Sequence, residues 1–254
     1  MIKALLARIQ QKHRTIGFPK TEPQLPDRFC GKPEINQTNC SRDCKLCVEI
    51  CPVAALKKEN KILSIDLGKC LFCSQCANTC PESAIKFTRD YRLSTRTREN
   101  LILSKDEMNL AAALDKKTKS LFGRSLKLRQ VSAGGCNACE ADTNVLGTVG
   151  FDLGRFGIQF VASPRHADGL LITGPVTENM KLALQKTYEA VSNPKIVIAV
   201  GACAISGGIY ENHFEVNNGA EKIVPINLYI PGCPPHPLTI LDGLLRLLGK
   251  IENK

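Results

Sequence analysis

The chain has 254 residues, enough for two small domains, and its hydrophobic fraction of 43% suffices for a buried core and argues against wholesale disorder. Aromatic residues make up 5% of the sequence and Trp is absent, which is a poor composition for stacking on nucleic-acid bases. The formal net charge of +10 comes from Lys and Arg spread along the chain, so we expect a protein partner or an anionic membrane surface and no nucleic acid.

The N-terminal segment, from Met1 to Ile16, predicts a short basic amphipathic helix. Its basic residues lie among apolar ones: Lys3, Arg8, Lys12 and Arg14. The segment lacks the continuous apolar stretch and the cleavage site of a signal peptide, and no stretch approaches the roughly 20 apolar residues that span a bilayer. We therefore expect a cytoplasmic chain, soluble or peripheral to the membrane. Residues 17–39, rich in Pro and Gly, predict an extended arm.

Thirteen cysteines dominate the composition. An odd number, grouped at spacings of two or three residues, is not typical of a disulfide framework, and such groups in an intracellular chain usually bind metal. From residue 40 to about residue 87 the chain repeats itself, with one run ending in Cys51-Pro52 and the next in Cys80-Pro81, on either side of a strand-like stretch from Ile62 to Ile65. Such a repeat predicts an α+β ferredoxin-like fold with two clusters.

The two runs supply the thiolates that two [4Fe–4S] clusters need. A C-x2-C-x2-C loop provides three corners of a cubane, and in paired ferredoxins the cysteine before Pro serves the cluster of the other run. The predicted ligands of the first cluster are Cys40, Cys44, Cys47 and Cys80. Those of the second cluster are Cys70, Cys73, Cys76 and Cys51.

The first run departs from the usual spacing, because three residues separate Cys40 from Cys44. The additional residue only widens the loop, so Cys40 remains the predicted ligand. Cys30, the thirteenth cysteine, is the alternative, and otherwise it is a free thiol in the arm. A zinc site is the alternative for both runs, but zinc prefers two separated C-x2-C pairs and has no use for three cysteines followed by Cys-Pro.

Residues 88–125 predict a charged connector. Ser104–Glu107 is a candidate capping box, and the spacing from Met108 to Leu114 predicts a helix after it. The predicted divisions of the chain are a basic helix and arm (1–39), a two-cluster ferredoxin domain (40–95), a linker with a helix (96–125) and an α/β domain (126–254).

From Leu126 onward, apolar runs alternate with helical segments. The predicted strands are Leu126–Val131, Gly157–Ala162, Gly169–Ile172 and Lys195–Val200, and the predicted helices include Glu178–Val191 and Pro237–Leu248. This alternation predicts an α/β domain with a mainly parallel sheet covered on both faces. Ligands of such sheets lie beyond the carboxyl ends of the strands.

The last four cysteines fall at that edge of the predicted sheet: Cys136, Cys139, Cys203 and Cys233. They stand beside residues that permit tight turns, as in Gly134-Gly-Cys136 and Pro231-Gly-Cys233. Small residues let backbone N–H groups approach cluster sulfurs and donate hydrogen bonds to them. We therefore predict a third [4Fe–4S] cluster here, with buried free thiols as the alternative.

Several motifs in residues 126–250 occur in the order found in one superfamily. They are Gly135-Cys-Asn-Ala-Cys-Glu140, Arg155-Phe-Gly157, Ser163-Pro-Arg-His-Ala-Asp168, Gly174, Gly201-Ala-Cys203 with Gly207-Gly-Ile-Tyr210, and Pro231-Gly-Cys-Pro-Pro235. This part of the chain resembles the small-subunit superfamily shared by [NiFe]-hydrogenases and the 20 kDa-type subunit of respiratory complex I. The resemblance implies a flavodoxin-like fold whose cluster lies next to a large catalytic subunit.

Two details of the sequence favour one branch of that superfamily. Cys136 and Cys139 are separated by two residues, as in hydrogenases, whereas the complex I subunit has adjacent cysteines. The presence of His166 in the motif Ser163-Pro-Arg-His-Ala-Asp168 resembles the sequences of formate hydrogenlyase and other energy-converting, membrane-bound hydrogenases. Arg28-Phe29 and Gly31 are similar to the arm of the complex I ferredoxin-like subunit, so the chain looks like two neighbouring subunits fused.

The resemblance implies a non-catalytic electron-transfer subunit of an oxidoreductase. Electrons would pass through three [4Fe–4S] clusters to or from the [NiFe] site of a partner large subunit, in a complex held at the inner face of the cell membrane. The implied partners are that large subunit, membrane-arm subunits, and a donor such as ferredoxin or a formate dehydrogenase module. The alternatives are a complex-I-like quinone or ferredoxin oxidoreductase without nickel, and a zinc- or cluster-binding interaction module.

The remaining candidates are single polar residues outside the cysteine groups. Glu140 could relay protons near the active site, as the family suggests, or stabilise the following helix through its dipole. Arg165 and His166 are interpreted as interface or structural groups. The histidines outside any motif are interpreted as surface or packing residues: His13, His213 and His236.

Overall fold

The first part of the chain combines short helices with short strands. The computed structural model describes residues 2–41, 43–104 and 108–251. In chain order its elements begin with α1 (Ile2–Gln11), β1 (Pro33–Ile35), α2 (Leu46–Glu49), β2 (Leu56–Glu59), β3 (Ile62–Asp66), α3 (Gln75–Thr79), β4 (Ile85–Phe87) and β5 (Ile102–Leu103). The predicted N-terminal helix is present but shorter than expected, and Met1 lies outside the described residues.

Two small antiparallel sheets organise this part. β1 pairs with β4, and β3 lies between β2 and β5. The stretch predicted as a strand, Ile62 to Ile65, lies within β3. Leu63 and Ile65 are buried on one face of that strand, so the alternation of apolar residues places them in a core.

The helix of the linker begins later than predicted. Residues 108–115 have no regular secondary structure, and α4 (Lys116–Phe122) begins after Asp115, whose carboxylate accepts hydrogen bonds from the N–H groups of Lys117 and Thr118, both at 3.0 Å. In the segment where a helix was expected, backbone groups form hydrogen bonds with distant parts of the chain instead of with the next helical turn. The N–H of Leu114, for example, donates to the carbonyl of Leu247. Of the expected capping box, Lys105 to Glu107 lie outside the described residues.

The second part of the chain is an α/β unit. After α4 come β6 (Leu126–Ser132), α5 (Ala138–Val145), β7 (Ile158–Phe160), β8 (Gly169–Thr173), α6 (Glu178–Ala190), β9 (Ile196–Val200), α7 (Ala202–Ser206), β10 (Leu228–Ile230) and α8 (Pro237–Leu247). Its five strands are all parallel to their neighbours, in the order β10-β9-β8-β6-β7. Numbered within the sheet, this order is 2-1-3-4-5, that of flavodoxin-type folds.

The α/β prediction with a mainly parallel sheet is therefore confirmed. β8 and β9 are buried at every position, as expected for central strands covered on both faces. β10 was not predicted, since a three-residue apolar run has too little length to signal a strand. None of the helices in the described ranges is long and apolar enough to cross a membrane.

The two parts share a hydrophobic core. Tyr229 and Ile205 of the α/β unit belong to the same buried cluster as Leu63 and Ile65 of the first part. Thr95 exchanges two backbone hydrogen bonds with Tyr229, at 3.0 and 2.9 Å, and so protects the edge of β10. The domain limits remain a prediction, but the first part of the chain and the α/β unit pack directly against each other.

Candidate metal centres

All thirteen cysteines carry free thiols, and twelve of them form three groups of four. The first group surrounds Cys47. Burial raises the pKa of the Cys47 thiol. Three neighbouring thiols raise it further by charge repulsion: Cys40, Cys80 and Cys44. These are the four residues expected to hold the first cluster.

The second group surrounds Cys70 and Cys76. Burial raises the pKa of Cys70 to about 12 and that of Cys76 to about 11. Cys51 and Cys73 raise both values further by charge repulsion. Cys76 is also affected by Cys47 of the first group, so the two groups are close to each other.

The third group lies just beyond the carboxyl ends of β6, β9 and β10, with Cys136 and Cys233 in loops, Cys139 in the first turn of α5 and Cys203 in α7. Burial raises the pKa of Cys139 and raises that of Cys203 to about 11. Cys136 and Cys233 raise both values further and are themselves exposed. The parallel sheet therefore brings together four cysteines that are spread over nearly 100 residues of sequence.

The internal repeat is visible in the backbone around the sulfur atoms. The N–H of Ala55 donates to Cys51 Sγ at 3.3 Å, and the N–H of Ala84 donates to Cys80 Sγ at 3.2 Å. The residue before each alanine, Ala54 or Ser83, has a φ of +47°. Both Cys-Pro turns therefore fold alike, and hydrogen bonds of this kind tune the potential of a cluster.

Glycines make room for the sulfur atoms of the third group. Gly201 has a φ of +89°, and a Cβ there would lie 2.5 Å from Cys139 Sγ. Gly208 has a φ of +58°, and a Cβ there would lie 2.8 Å from Cys203 Sγ. Only glycine lets the backbone come this close to the thiols in these conformations.

Thiol groups in fours, with backbone N–H donors and glycine turns around them, fit [4Fe–4S] clusters in number and chemical type. Across the described ranges, no group of three or more His, Cys, Asp or Glu residues is arranged to hold a single metal ion. A single zinc ion needs its donors around one point. The donors of a cubane lie further apart, because each thiolate binds a different iron.

Cys30 lies beside the second cysteine run. Its Sγ is 3.1 Å from Ser74 Oγ, in the loop between Cys73 and Cys76. This position favours Cys40 over Cys30 as the ligand that completes the first group.

Lys58 is a residue of the site that sequence reasoning missed. Its Nζ donates to Cys40 Sγ at 3.3 Å, to the carbonyl of Ser41 at 2.5 Å and to that of Cys44 at 3.1 Å. No motif marked this lysine. Its place in β2, just after the first Cys-Pro turn, is the signal that could have found it.

Glu140 connects two strand ends with the first turn of α5. Its Oε1 accepts hydrogen bonds from Ser132 Oγ at 2.6 Å and from Thr173 Oγ1 at 2.7 Å, and the residue is 6% exposed. A carboxylate in a first turn suits the helix dipole, and two hydroxyl partners also suit proton movement. Both interpretations therefore stand as predictions.

The remaining polar candidates divide into exposed and capping residues. Arg165 and His166 are exposed in a 3-10 turn after β7, and His13 and His213 are exposed as well. His236 caps α8, because its Nδ1 accepts a hydrogen bond from the N–H of Leu238 at 3.1 Å.

An exposed apolar patch lies next to the third group. Ile209 is 58% exposed, Tyr210 is 40% exposed and Phe214 is 81% exposed. The N–H of Ile209 hydrogen-bonds to the Cys203 sulfur, which tends to lower the pKa of that thiol against the larger effect of burial. Ile209 therefore places one end of the patch directly beside the third group.

Comparison with known proteins matches both parts of the chain. A family model described as NADH ubiquinone oxidoreductase, 20 Kd subunit, matches residues 136–247, and one described as 4Fe-4S binding domain matches residues 63–86. The chain is 44% identical over 146 residues to formate hydrogenlyase subunit 7 of Escherichia coli, across 58% of this chain and 56% of that protein. It therefore spans little more than half of that relative.

Two further relatives are covered more fully. The chain is 42% identical over 133 residues to the "Probable membrane-bound hydrogenase subunit mbhJ" of Pyrococcus furiosus, across 52% of this chain and 79% of that protein. It is 42% identical over 120 residues to an NADH-quinone oxidoreductase subunit of Heliobacterium modesticaldum, across 47% of this chain and 69% of that protein.

A parallel α/β unit with four cysteines at the carboxyl edge of its sheet, preceded by a 4Fe-4S segment, defines an iron–sulfur protein of the oxidoreductase class. The chain belongs to the NADH ubiquinone oxidoreductase 20 kDa subunit family. The family model matches residues 136–247, and the two relatives that are each 42% identical to the chain are covered over 79% and 69% of their own length.

Proposed function

We propose that this chain is the electron-transfer subunit of a membrane-associated hydrogenase complex. It holds three [4Fe–4S] clusters and passes electrons to or from the [NiFe] site of a partner large subunit, where 2H⁺ + 2e⁻ and H₂ interconvert. The twelve cysteines of the three groups are the ligands. The nickel ligands lie on the partner, so this chain alone has no hydrogenase activity.

The observation that carries the proposal is the proximity of four thiols within each group and of each group to the next. Cys47 of the first group is near enough to Cys76 of the second to raise its pKa. A cleft of about 240 Å³ is lined by Leu71 and Phe72, which lie between Cys70 and Cys73 of the second group, and by Cys233 of the third group, so these two groups are neighbours. Electrons can therefore move in short steps along the chain of sites.

The residues of this chain would hold the three clusters. A bound cubane supplies one-electron chemistry spread over its four irons and sulfides. The thiolates would hold it, and the N–H groups of Ala55 and Ala84 donate hydrogen bonds to the sulfurs of two of them.

The surface around the third group suits a large partner subunit. Ile209, Tyr210 and Phe214 form an exposed apolar patch beside it, and such patches on monomers mark interaction sites. Membrane-arm subunits would hold the complex at the inner face of the cell membrane. A ferredoxin or a formate dehydrogenase module would supply electrons to the ferredoxin-like part.

A second candidate is a complex-I-like quinone or ferredoxin oxidoreductase without nickel. The identity of 42% to an NADH-quinone oxidoreductase subunit favours it. The separation of Cys136 and Cys139 by two residues, which resembles hydrogenases, favours the first candidate.

Metal analysis of the anaerobically purified complex tests the proposal. We expect about twelve iron and about twelve sulfide per copy of this chain, with three [4Fe–4S] EPR signals after reduction. Nickel and H₂-dependent dye reduction are expected in the complex and absent from the isolated chain. Three clusters without nickel would instead support the complex-I-like candidate, and stoichiometric zinc without cubane signals would leave only an interaction module.

A further inference from the structure

The internal repeat places two different side chains at equivalent positions beside the first two cysteine groups. When Cys51-Pro52 is aligned with Cys80-Pro81, the seventh residue after each cysteine is Lys58 in the first run and Phe87 in the second. The matched turns lead into β2 and β4, which carry these residues. Besides the additional residue between Cys40 and Cys44, the two sites therefore differ at this position, where one has an ammonium group and the other a phenyl ring.

Lys58 is directed at the first group. All three of its contacts fall on the stretch that carries the additional residue: Cys40 Sγ at 3.3 Å, the carbonyl of Ser41 at 2.5 Å and the carbonyl of Cys44 at 3.1 Å. The ammonium therefore ties together the widened loop. It also places a positive charge against a sulfur atom of the site.

Phe87 occupies the corresponding place beside the second group. Its ring centroid lies 6.2 Å from that of Phe72 in an edge arrangement, and Phe72 stands between Cys70 and Cys73. Phe87 also lines the same small cavity as Cys51 and Cys70. The second group therefore meets an apolar surface where the first meets a cation.

We propose that Lys58 is a positioning residue that holds Cys40 and raises the reduction potential of the first cluster above that of the second, which Phe87 keeps low. The inference rests on the proposed function, because it requires clusters at both sites. Each cubane takes up one electron on reduction, and its charge becomes more negative by one. A nearby ammonium stabilises the reduced form more than the oxidised form, and a hydrogen bond to a ligand sulfur acts in the same direction.

The difference in reduction potential between the two clusters determines which of them is reduced first in the ferredoxin-like part. An electron shared by the two sites occupies the one with the higher potential, so the first cluster is reduced before the second. Lys58 is partly exposed, and its effect therefore weakens as ionic strength rises.

The test is a potentiometric titration followed by EPR spectroscopy, on the anaerobically purified complex that contains the full chain, with dithionite as the electron donor. For Lys58→Met we expect one cluster to titrate at a lower potential while the other two do not move. Lys58→Arg keeps a cation at this position, and its clusters are expected to have reduction potentials close to those of the unaltered protein. Lys57→Met is the matched control, since it removes an exposed lysine from the same strand.

The reciprocal variant, Phe87→Lys, is expected to raise the potential of a different cluster. If Lys58→Met loses one cubane signal and Lys58→Arg retains it, the positioning role is supported. Unchanged potentials in Lys58→Met, an equal shift in Lys57→Met, or loss of the signal in both Lys58 variants would overturn the inference. Absence of cubane signals from the unaltered chain would reject the proposed function instead.

Discussion

At the scale of single residues, backbone conformation decides how closely the chain approaches its thiols. Gly201 and Gly208 adopt positive φ values beside Cys139 and Cys203, where a Cβ would overlap a sulfur atom. The glycines next to the cysteines were recognised from the sequence as turn formers. Which sulfur each of them accommodates depends on contacts across the sheet.

Gly201→Ala is therefore expected to disrupt the third group. The added Cβ would lie 2.5 Å from Cys139 Sγ, and the φ of +89° is unfavourable for alanine. We expect iron to fall from about twelve to about eight per chain and one EPR signal to disappear.

Gly154→Ala serves as the control for this variant. Its φ is not in the positive region, and the nearest atom to the added Cβ is Asp152 Oδ1 at 3.9 Å. Full iron content in Gly201→Ala, or an equal loss in Gly154→Ala, would contradict the steric argument.

At the scale of elements, α8 shows how one residue couples a buried helix to its surroundings. The helix is buried along its whole length, and His236 at its N-cap packs against Phe29 at 5.3 Å between ring centroids. Burial lowers the pKa of His236 from its ordinary value of 6.5. The sequence showed a strongly apolar helix but interpreted this histidine only as a surface or packing residue.

The cap predicts a pH dependence of stability. Because the folded-state pKa of His236 is lowered, its contribution is present above pH 6.5 and is lost as the pH falls through the folded-state value. Protonation removes the Nδ1 acceptor and places a positive charge at a helix N-terminus, which is unfavourable. We expect the urea midpoint of the purified protein to be lower at pH 5.5 than at pH 7.5.

His236→Asn separates this effect from other titrations. Asparagine is a good N-cap and keeps a side-chain acceptor that does not titrate in this range. We expect the variant to lose less stability than the unaltered protein between the two pH values. Equal losses in both proteins would show that His236 is not responsible.

At the scale of the whole molecule, the ferredoxin-like part and the α/β unit are joined by a common core. Tyr229 in β10 is 3% exposed, bridges to Thr95 and donates a hydrogen bond from its hydroxyl to Glu221 at 2.8 Å. Lys69 and Glu211 add an ion pair at 2.6 Å between the two parts. We therefore expect the two parts to unfold together.

Tyr229→Ala tests this coupling. Loss of a buried aromatic ring is expected to cost about 3–5 kcal/mol in the free energy of unfolding, and both far-UV circular dichroism and cluster absorbance should shift together. Tyr229→Phe loses only the hydroxyl contact, at about 1 kcal/mol.

Leu182→Ala is the surface control, because Leu182 is 63% exposed and its loss is expected to change stability by less than about 0.5 kcal/mol. Separate transitions for the two signals in Tyr229→Ala would contradict the shared core.

Local patterns explain why much of the architecture was predictable. The alternation of buried runs and helical segments predicted the α/β unit, and its four predicted strands correspond to β6, β7, β8 and β9. The linker helix was misplaced because Ala111 and Leu114 have helical spacing but are buried through contacts with distant segments. β10 was missed because three residues carry little periodic signal.

The amino-acid sequence by itself determined the cysteine runs, the Cys-Pro repeat and the type of the second part, since these depend on spacing and periodicity within short windows. Only the tertiary structure decided that Gly201 approaches the Cys139 sulfur, that Lys58 contacts Cys40 and that Cys30 lies beside Ser74. Such contacts join residues far apart in the chain. Their geometry is set by the packing of strands and loops, which no local pattern encodes.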